Sequence, residues 1–407
     1  MDSLYTFIIL MFAAALLVGI AQKIQIPYPI ALVIGGTAIG FIPELHPIYF
    51  DPNLMIVVVL PPILYYASFG ISFREFRSNW REIFSLALGL VFITTLVIGL
   101  IFKWIFPEFP WALAFAFGAI ISPPDAIAVT AILKRFSMNS RLLTVLEGES
   151  LVNDASALVL YRLAITALLS GVFSLSDASF EFFKVVSGGV AVGLISGFII
   201  QRFSRSYLDP VVGVVLSITI PYMTYILADS IGVSGVLAVV TNGLVGSQVI
   251  LSHPAPSRRI LGFLMWDIYS ILLNCFVFIL IGLHLKILIS DMSTKDILLN
   301  VGYGILFTFV LIAIRMVWVY AKSSIQYVKT RMNPKSAKDT SEPLSEATII
   351  GWSGMRGIVS LTAALALPLT LSNGMMLKGR EEVIFITFVV ILLTLLIPGL
   401  TIPSLIR

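Results

Sequence analysis

Residues 111–134 read WALAFAFGAIISPPDAIAVTAILK, an apolar stretch interrupted near its middle by Ser122-Pro123-Pro124-Asp125. At about 1.5 Å per residue such a stretch is long enough to cross a hydrocarbon core of ~30 Å as a helix. Two successive prolines, however, remove two amide donors and push the residues before them out of helical geometry. The stretch therefore predicts a helix broken at mid-depth. Irregular backbone survives in a membrane only where it is packed in protein or lines a wet cavity, so the break marks a place inside a larger bundle.

The rest of the chain supplies that bundle. Of 407 residues, 58% are apolar and only 12% charged, and the mean hydropathy is +1.01, so lipid is the solvent for most of the surface. Apolar stretches of roughly 20 residues recur about thirteen times: 3–22, 27–43, 52–69, 82–106, 110–134, 141–170, 178–203, 209–228, 234–251, 258–289, 297–328, 346–373 and 381–406. The first lacks a basic flank and a small-residue cleavage pattern, and reads as a span, not a removed signal peptide. Between the third and fourth, SFREFRSNWRE (72–82) sets Phe73, Phe76 and Trp80 opposite Arg and Glu, the pattern of an interfacial amphipathic helix. The longest polar insert, KTRMNPKSAKDTSEPLSE, covers 329–346. The fold class expected is an all-α polytopic membrane protein in one domain, 1–407.

Lys and Arg cluster after the odd-numbered spans up to the eleventh and at the C-terminus. By this count the loops on that side carry about 17 basic residues against about 6 on the other, which places them in the cytoplasm and the N-terminus outside. The net charge of +4 is largely this orientation signal, and it shows no basic stripe for nucleic acid. The lone cysteine, Cys275, has no partner for a disulfide, and no His/Cys spacing suggests zinc or haem. Gly-rich phosphate loops are missing, so neither a cofactor nor a nucleotide-driven pump is expected.

Thirteen spans divide as six, one and six, a parity that permits an inverted repeat. The fifth member of each half has breaking chemistry: SPPD in span 5, and Gly351, Gly354 and Gly357 around Ser353 and Arg356 in span 12. Ionisable residues collect nearby. Span 6 contains Glu147, Glu149, Ser150, Asn153 and Asp154, followed by Arg162; span 5 adds Asp125 and span 11 adds Arg315. Each such group inside a bilayer costs roughly 2.5–3.5 kcal/mol on insertion scales and calls for a partner or a purpose.

On a helix, Ser150 and Asp154 share a face, as do Glu147 and Asp154, whereas Glu149 lies about 140° around from Asp154. The two acids therefore answer to different neighbours. A carboxylate buried away from any permanent cation favours its neutral form and can trade a proton for a metal ion. That role falls to Asp154, with Ser150 and Asn153 supplying neutral oxygens suited to a hard cation. Asp125 begins the inner half of span 5, where capping exposed amides is preferred over direct ion binding. Arg356 would offset the carbonyl-rich ends of the broken helices. The alternative for Glu149, Arg315 and Arg356 is that they pair only to hold the bundle together.

The runs EGESLVNDASALVLYR (147–162), SPPDAIAV (122–129) and GWSGMRGIVSLTAALALP (351–368) resemble the electroneutral CPA1 branch of the sodium/proton antiporters and exchangers, in which an Asn-Asp pair stands where electrogenic relatives have two aspartates. The resemblance covers nearly the whole chain. It implies that Asp154 binds cation or proton, that Asn153 supports the site, and that Ser150 contributes an oxygen. It also implies that spans 5 and 12 cross, that Glu149 pairs with Arg315, and that a homodimer works by elevator-like motion. The moving core would be about 82–170 and 297–406, the scaffold about 1–69 and 209–289, and the linker helix about 178–203. Sodium, lithium or potassium would exchange with protons across the cell membrane. The chain departs from the family in two places. Pro124-Asp125-Ala126 replaces the common Thr-Asp-Pro, leaving the Pro124 backbone carbonyl where a hydroxyl is usual. LPPILYYASFG in span 3 offers Tyr65 and Tyr66 where some members have a glutamate.

Two other readings compete. Gly351-Trp352-Ser353-Gly354 satisfies the GxSG pattern of intramembrane serine proteases, which would need one of His46, His253 or His284 as base. A cation channel could also line its path with broken helices, but no repeated filter sequence or ring of carboxylates is present.

Overall fold

The structure, a computed structural model, describes residues 2–24, 26–42, 52–136, 138–171, 175–204, 210–251, 256–290, 292–332, 344–372 and 374–406. The first half of the chain contains α1 (Asp2–Lys23), α2 (Tyr28–Gly40), α3 (Pro52–Gly70), α4 (Phe73–Ser78), α5 (Trp80–Phe84), α6 (Val91–Ile105), α7 (Trp111–Ile121), α8 (Ala126–Leu133) and α9 (Ser140–Ser170). The second contains α10 (Leu175–Ser204), α11 (Pro210–Ser230), α12 (Gly235–Leu251), α13 (Pro256–Ser290), α14 (Thr294–Met332), α15 (Leu344–Trp352), α16 (Ile358–Leu365) and α17 (Arg380–Ile406). Each apolar stretch picked out in the sequence corresponds to a helix or to a pair of half-helices. Among the described residues, seven helices are long and apolar enough to cross a membrane, beside shorter apolar ones such as Tyr28–Gly40 and Trp111–Ile121. Of the residues named above, His46 and His253 lie outside the described residues, as does 333–343 of the polar insert.

Small residues let the helices approach closely, as expected where lipid supplies no hydrophobic drive between them. Gly36 of α2 lies against the Ile279 carbonyl of α13, and Gly282 of α13 lies against the Val33 carbonyl of α2, so neither position has room for a Cβ. The long helix α9 starts where the Asn139 side chain accepts the Arg141 amide at 3.1 Å, and it stops at Gly171, whose φ of 72° suits a residue without a Cβ.

Three local details differ from the sequence reading. The amphipathic segment 72–82 bends at Asn79 (φ −105°, ψ 11°), so α4 ends at Ser78 and Trp80 already begins the next helix. The Glu75 carboxylate of α4 accepts from Thr144 Oγ1 at 2.9 Å, tying this segment to α9. Between α5 and α6 the backbone widens into a π turn over Ser85–Leu90, a deformation common near functional sites. There the Ala87 carbonyl accepts the Ser156 hydroxyl of α9 at 2.7 Å. Finally, the helix expected over 346–373 ends at Leu365. Pro368 disfavours helical geometry before it, and the Leu365 and Leu367 carbonyls accept from Arg380 at 2.9 Å each.

Not every proline breaks its helix. Pro61-Pro62 lies inside α3, which continues through it. Pro62 cannot donate to Val58 four residues earlier, and that carbonyl instead accepts the Tyr222 hydroxyl of α11 at 2.9 Å. The Pro123-Pro124 pair has the opposite outcome, and the site is built on it.

Candidate ion-binding site

An unbroken helix through 122–126 would pair the amides of Asp125 and Ala126 with the carbonyls of Ile121 and Ser122. With two prolines in the turn, α7 ends instead, and all four groups need other partners. The Asp125 amide donates to Met355 O at 2.7 Å, in the extended segment between α15 and α16. The Ala126 amide donates to Ser150 Oγ of α9 at 3.3 Å. The abandoned carbonyls accept from one arginine: Arg356 Nε donates to Ile121 O at 2.9 Å and Nη2 to Ser122 O at 3.3 Å. The same guanidinium donates through Nη1 to Gly354 O beyond the end of α15. The backbone amide of Arg356 is held by Thr394 Oγ1 of α17 at 3.1 Å. The two broken helices thus cross at their extended segments, with Arg356, only 3% exposed, on the carbonyl ends of both.

The Asp125 carboxylate lies against Gly357, the residue before α16, so closely that a Cβ at 357 would overlap it. An anion there meets the positive end of α16. Gly357→Ala should push the carboxylate away and cost about 1–2 kcal/mol, the usual worth of such a cap. Thermal denaturation of Gly357→Ala, Asp125→Ala and the double variant checks this. If the two losses simply add, the contact carries no coupling energy.

Asn153, fully buried, donates from Nδ2 to Pro124 O at 3.1 Å. The Pro124 carbonyl therefore already has one partner, and Asn153 Oδ1 has none among the described residues. Asp154 is 7% exposed. Its carboxylate receives no hydrogen bond or ion pair among the described residues, and Asp125 lines the same cavity. It opens onto a small cavity between two parts of the bundle. One side carries the polar groups Asp125, Ser150, Asp154 and Ser360 among Pro123, Leu151, Gly357, Ile358 and Val359; the other is α3, with Leu60, Ile63, Leu64 and Ala67.

The remaining candidates lie elsewhere. Glu149 and Arg315 form a bidentate pair, with Nη2 to Oε2 at 2.7 Å and Nη1 to Oε1 also bonded, and Arg315 Nε donates to Ile350 O at 3.0 Å. Both are almost wholly buried. Glu147 faces outward to Lys134 at 3.1 Å, and Arg162 pairs with Asp229 of α11 at 2.7 Å. Tyr65 packs on Phe69 and Trp266, and Tyr66 donates to Asp267, so neither lines the cavity. Ser353 Oγ is bonded to Ile349 O, and the His284 ring is paired with Leu280 O. Among the described residues, no group of three or more His, Cys, Asp and Glu could hold a metal ion. The sequence reading missed Thr394, Ser360 and the apolar wall of α3. The departure at Tyr65 and Tyr66 drew attention to that helix, but nothing in the pattern marked which of its residues face the site.

A family model described as the transmembrane sodium/hydrogen exchanger matches residues 9–407. The chain belongs to the sodium/hydrogen exchanger family. It is a multi-pass membrane protein of a transporter class. It is 34% identical over 93% of its length to a sodium, potassium, lithium and rubidium/H+ antiporter of Bacillus pumilus, of which it spans 58%. It is 31% identical over 94% of its length to the Na+/H+ antiporter ApNhaP of Aphanothece halophytica, spanning 70% of that protein. Its fold matches the sodium proton antiporter MjNhaP1 of Methanocaldococcus jannaschii with a TM-score of 0.73 and 20% identity, covering 100% of this chain and 99% of that one.

Proposed function

We infer that this chain exchanges protons for a monovalent cation, sodium or alternatively lithium or potassium, one for one at Asp154. The observation that carries the reading is a buried carboxylate with no fixed cationic partner, facing a cavity that also holds Ser150. Such a group takes either a proton or a cation. The other strong charges nearby are engaged: Arg315 with Glu149, and Arg356 with backbone carbonyls. The names of the relatives, all cation/proton antiporters or exchangers, support the same reading. The test is transport in proteoliposomes: an imposed sodium or potassium gradient should drive proton movement in the opposite direction. Cation flux that moves no protons would indicate a channel instead.

In this reading the protein sits in the cell membrane as a homodimer, N-terminus outside and C-terminus in the cytoplasm. The core (about 82–170 and 297–406) slides against the scaffold (about 1–69 and 209–289), with 178–203 as the linker. The cavity suits that division, because its polar groups, Asp125, Ser150, Asp154 and Ser360, belong to the first part and its α3 residues to the second.

One for one exchange predicts a voltage-insensitive rate. Where a second acid would stand, Asn153 cannot carry a proton, so each half-cycle moves one positive charge and the net transfer is zero. Imposing 100 mV should leave the rate nearly unchanged, whereas each uncompensated charge would contribute about 2.3 kcal/mol. A steep voltage dependence would show that another acid, such as Asp125 or Glu147, also cycles.

A further inference from the structure

We propose that the Ser360 hydroxyl is an additional oxygen ligand of the transported cation and helps to set which alkali ion is preferred. Ser360 is on α16 and shares the polar cavity wall with Asp154 and Ser150. It is 1% exposed, and its hydroxyl has no hydrogen-bond partner among the described residues. A buried hydroxyl without a partner is destabilising and calls for an explanation, an unseen ion being one of the usual ones.

The backbone explains why this hydroxyl is unpaired. A helical Ser or Thr commonly bonds the carbonyl four residues back, as Thr362 does to Ile358, Thr394 to Val390 and Thr130 to Ala126. Ser360 is the third residue of its half-helix, and the carbonyl four residues back belongs to Arg356 in the extended segment. The break that crosses the two helices therefore also leaves the Ser360 hydroxyl uncommitted beside the cavity.

The site's oxygens give that hydroxyl a use. A hard cation collects several oxygen ligands, often mixing carboxylate, hydroxyl, carbonyl and water. Here the Pro124 carbonyl already accepts from Asn153, Ser150 Oγ accepts the Ala126 amide, and the Asp125 carboxylate is seated at Gly357. Ser360 adds a neutral oxygen that nothing else claims. A hydroxyl rotates freely about its bond to carbon, so it can turn toward an ion bound at Asp154.

This inference rests on the exchange reading, and the experiment separates the two. The full-length protein, Ser360→Ala, Ser360→Thr and Ser360→Cys are compared in proteoliposomes at fixed pH with Na+, Li+ and K+. Loss of one ligand should raise the apparent Michaelis constant for Na+ about tenfold in Ser360→Ala, with a smaller fall in maximal rate. The ratio of Na+ to Li+ to K+ constants should change with it. Ser360→Thr keeps the oxygen and should restore affinity, while Ser360→Cys, a soft sulfur of similar size, should behave like alanine. Unchanged constants and selectivity in Ser360→Ala would overturn the proposal. So would equal losses of affinity for all three ions together with reduced folded yield in both Ala and Thr, since packing alone would explain them. Absence of cation-driven proton movement in the wild type would instead sink the exchange reading, and this proposal with it.

Discussion

Asp154→Asn is expected to assemble in the membrane and to exchange nothing. The amide has nearly the shape of the carboxylate, and the native side chain receives no hydrogen bond or ion pair among the described residues, so no partner is stranded by the change. It cannot carry the proton, and it offers a cation a dipole in place of a full charge. Exchange should fall to the background of empty liposomes while folded yield and melting temperature stay near wild type. In the native protein the same competition has a pH signature. As pH falls, protons fill the site, so the apparent affinity for cation drops while the maximal rate at saturating cation changes little. A purified Asp154→Asn protein that still moves protons against a cation gradient would refute the assignment, and so would a native affinity that does not depend on pH.

Glu149→Ala should do the reverse, harming the fold before the chemistry. Arg315 is 2% exposed and bonded to both carboxylate oxygens. Removing the acid leaves a guanidinium in the bundle with the Ile350 carbonyl as its remaining partner among the described residues, at a cost of about 3–5 kcal/mol. Low yield in the membrane and a lower melting temperature in detergent are the expected results. Reversing both charges, Glu149→Arg with Arg315→Glu, should recover part of the loss. A Glu149→Ala protein that accumulates and melts like wild type would show that the pair contributes nothing to stability. The contrast between the two acids five positions apart is the contrast between a charge with a fixed partner and one without.

The sequence made the two broken helices legible because proline and glycine act locally: two missing amides at 123 and 124 have consequences that no distant contact is needed to foresee. The separation of Glu149 from Asp154 was readable for a similar reason, since helical geometry alone puts them on different faces. Contacts that depend on the crossing were not. The sequence reading aimed Asp125 at the amides of its own half-helix; that its carboxylate also lies at the start of α16, more than 200 residues away in the chain, was not readable. Nor could the pattern separate Pro61-Pro62 from Pro123-Pro124. One pair stays helical because a tyrosine from α11 satisfies Val58, and the other opens because an arginine and a second broken helix await its orphaned groups. The overlong span at 346–373 failed in a simpler way: apolar residues continue to Leu371, and hydropathy does not register where Pro368 stops the helix.

In the proposed sliding motion, the apolar face that α3 turns toward the cavity would govern leakage. If the polar wall slides past Leu60, Ile63, Leu64 and Ala67, whatever Asp154 holds must pass a surface that solvates charge poorly. Loaded with a proton or a monovalent cation, the carboxylate is neutral overall and passes cheaply. Empty, it is an anion, and carrying it past hydrocarbon adds about 2.5–3.5 kcal/mol, which slows that crossing by roughly a hundredfold. In that motion unloaded returns, the futile strokes that would dissipate one gradient without building the other, would be suppressed by grease alone.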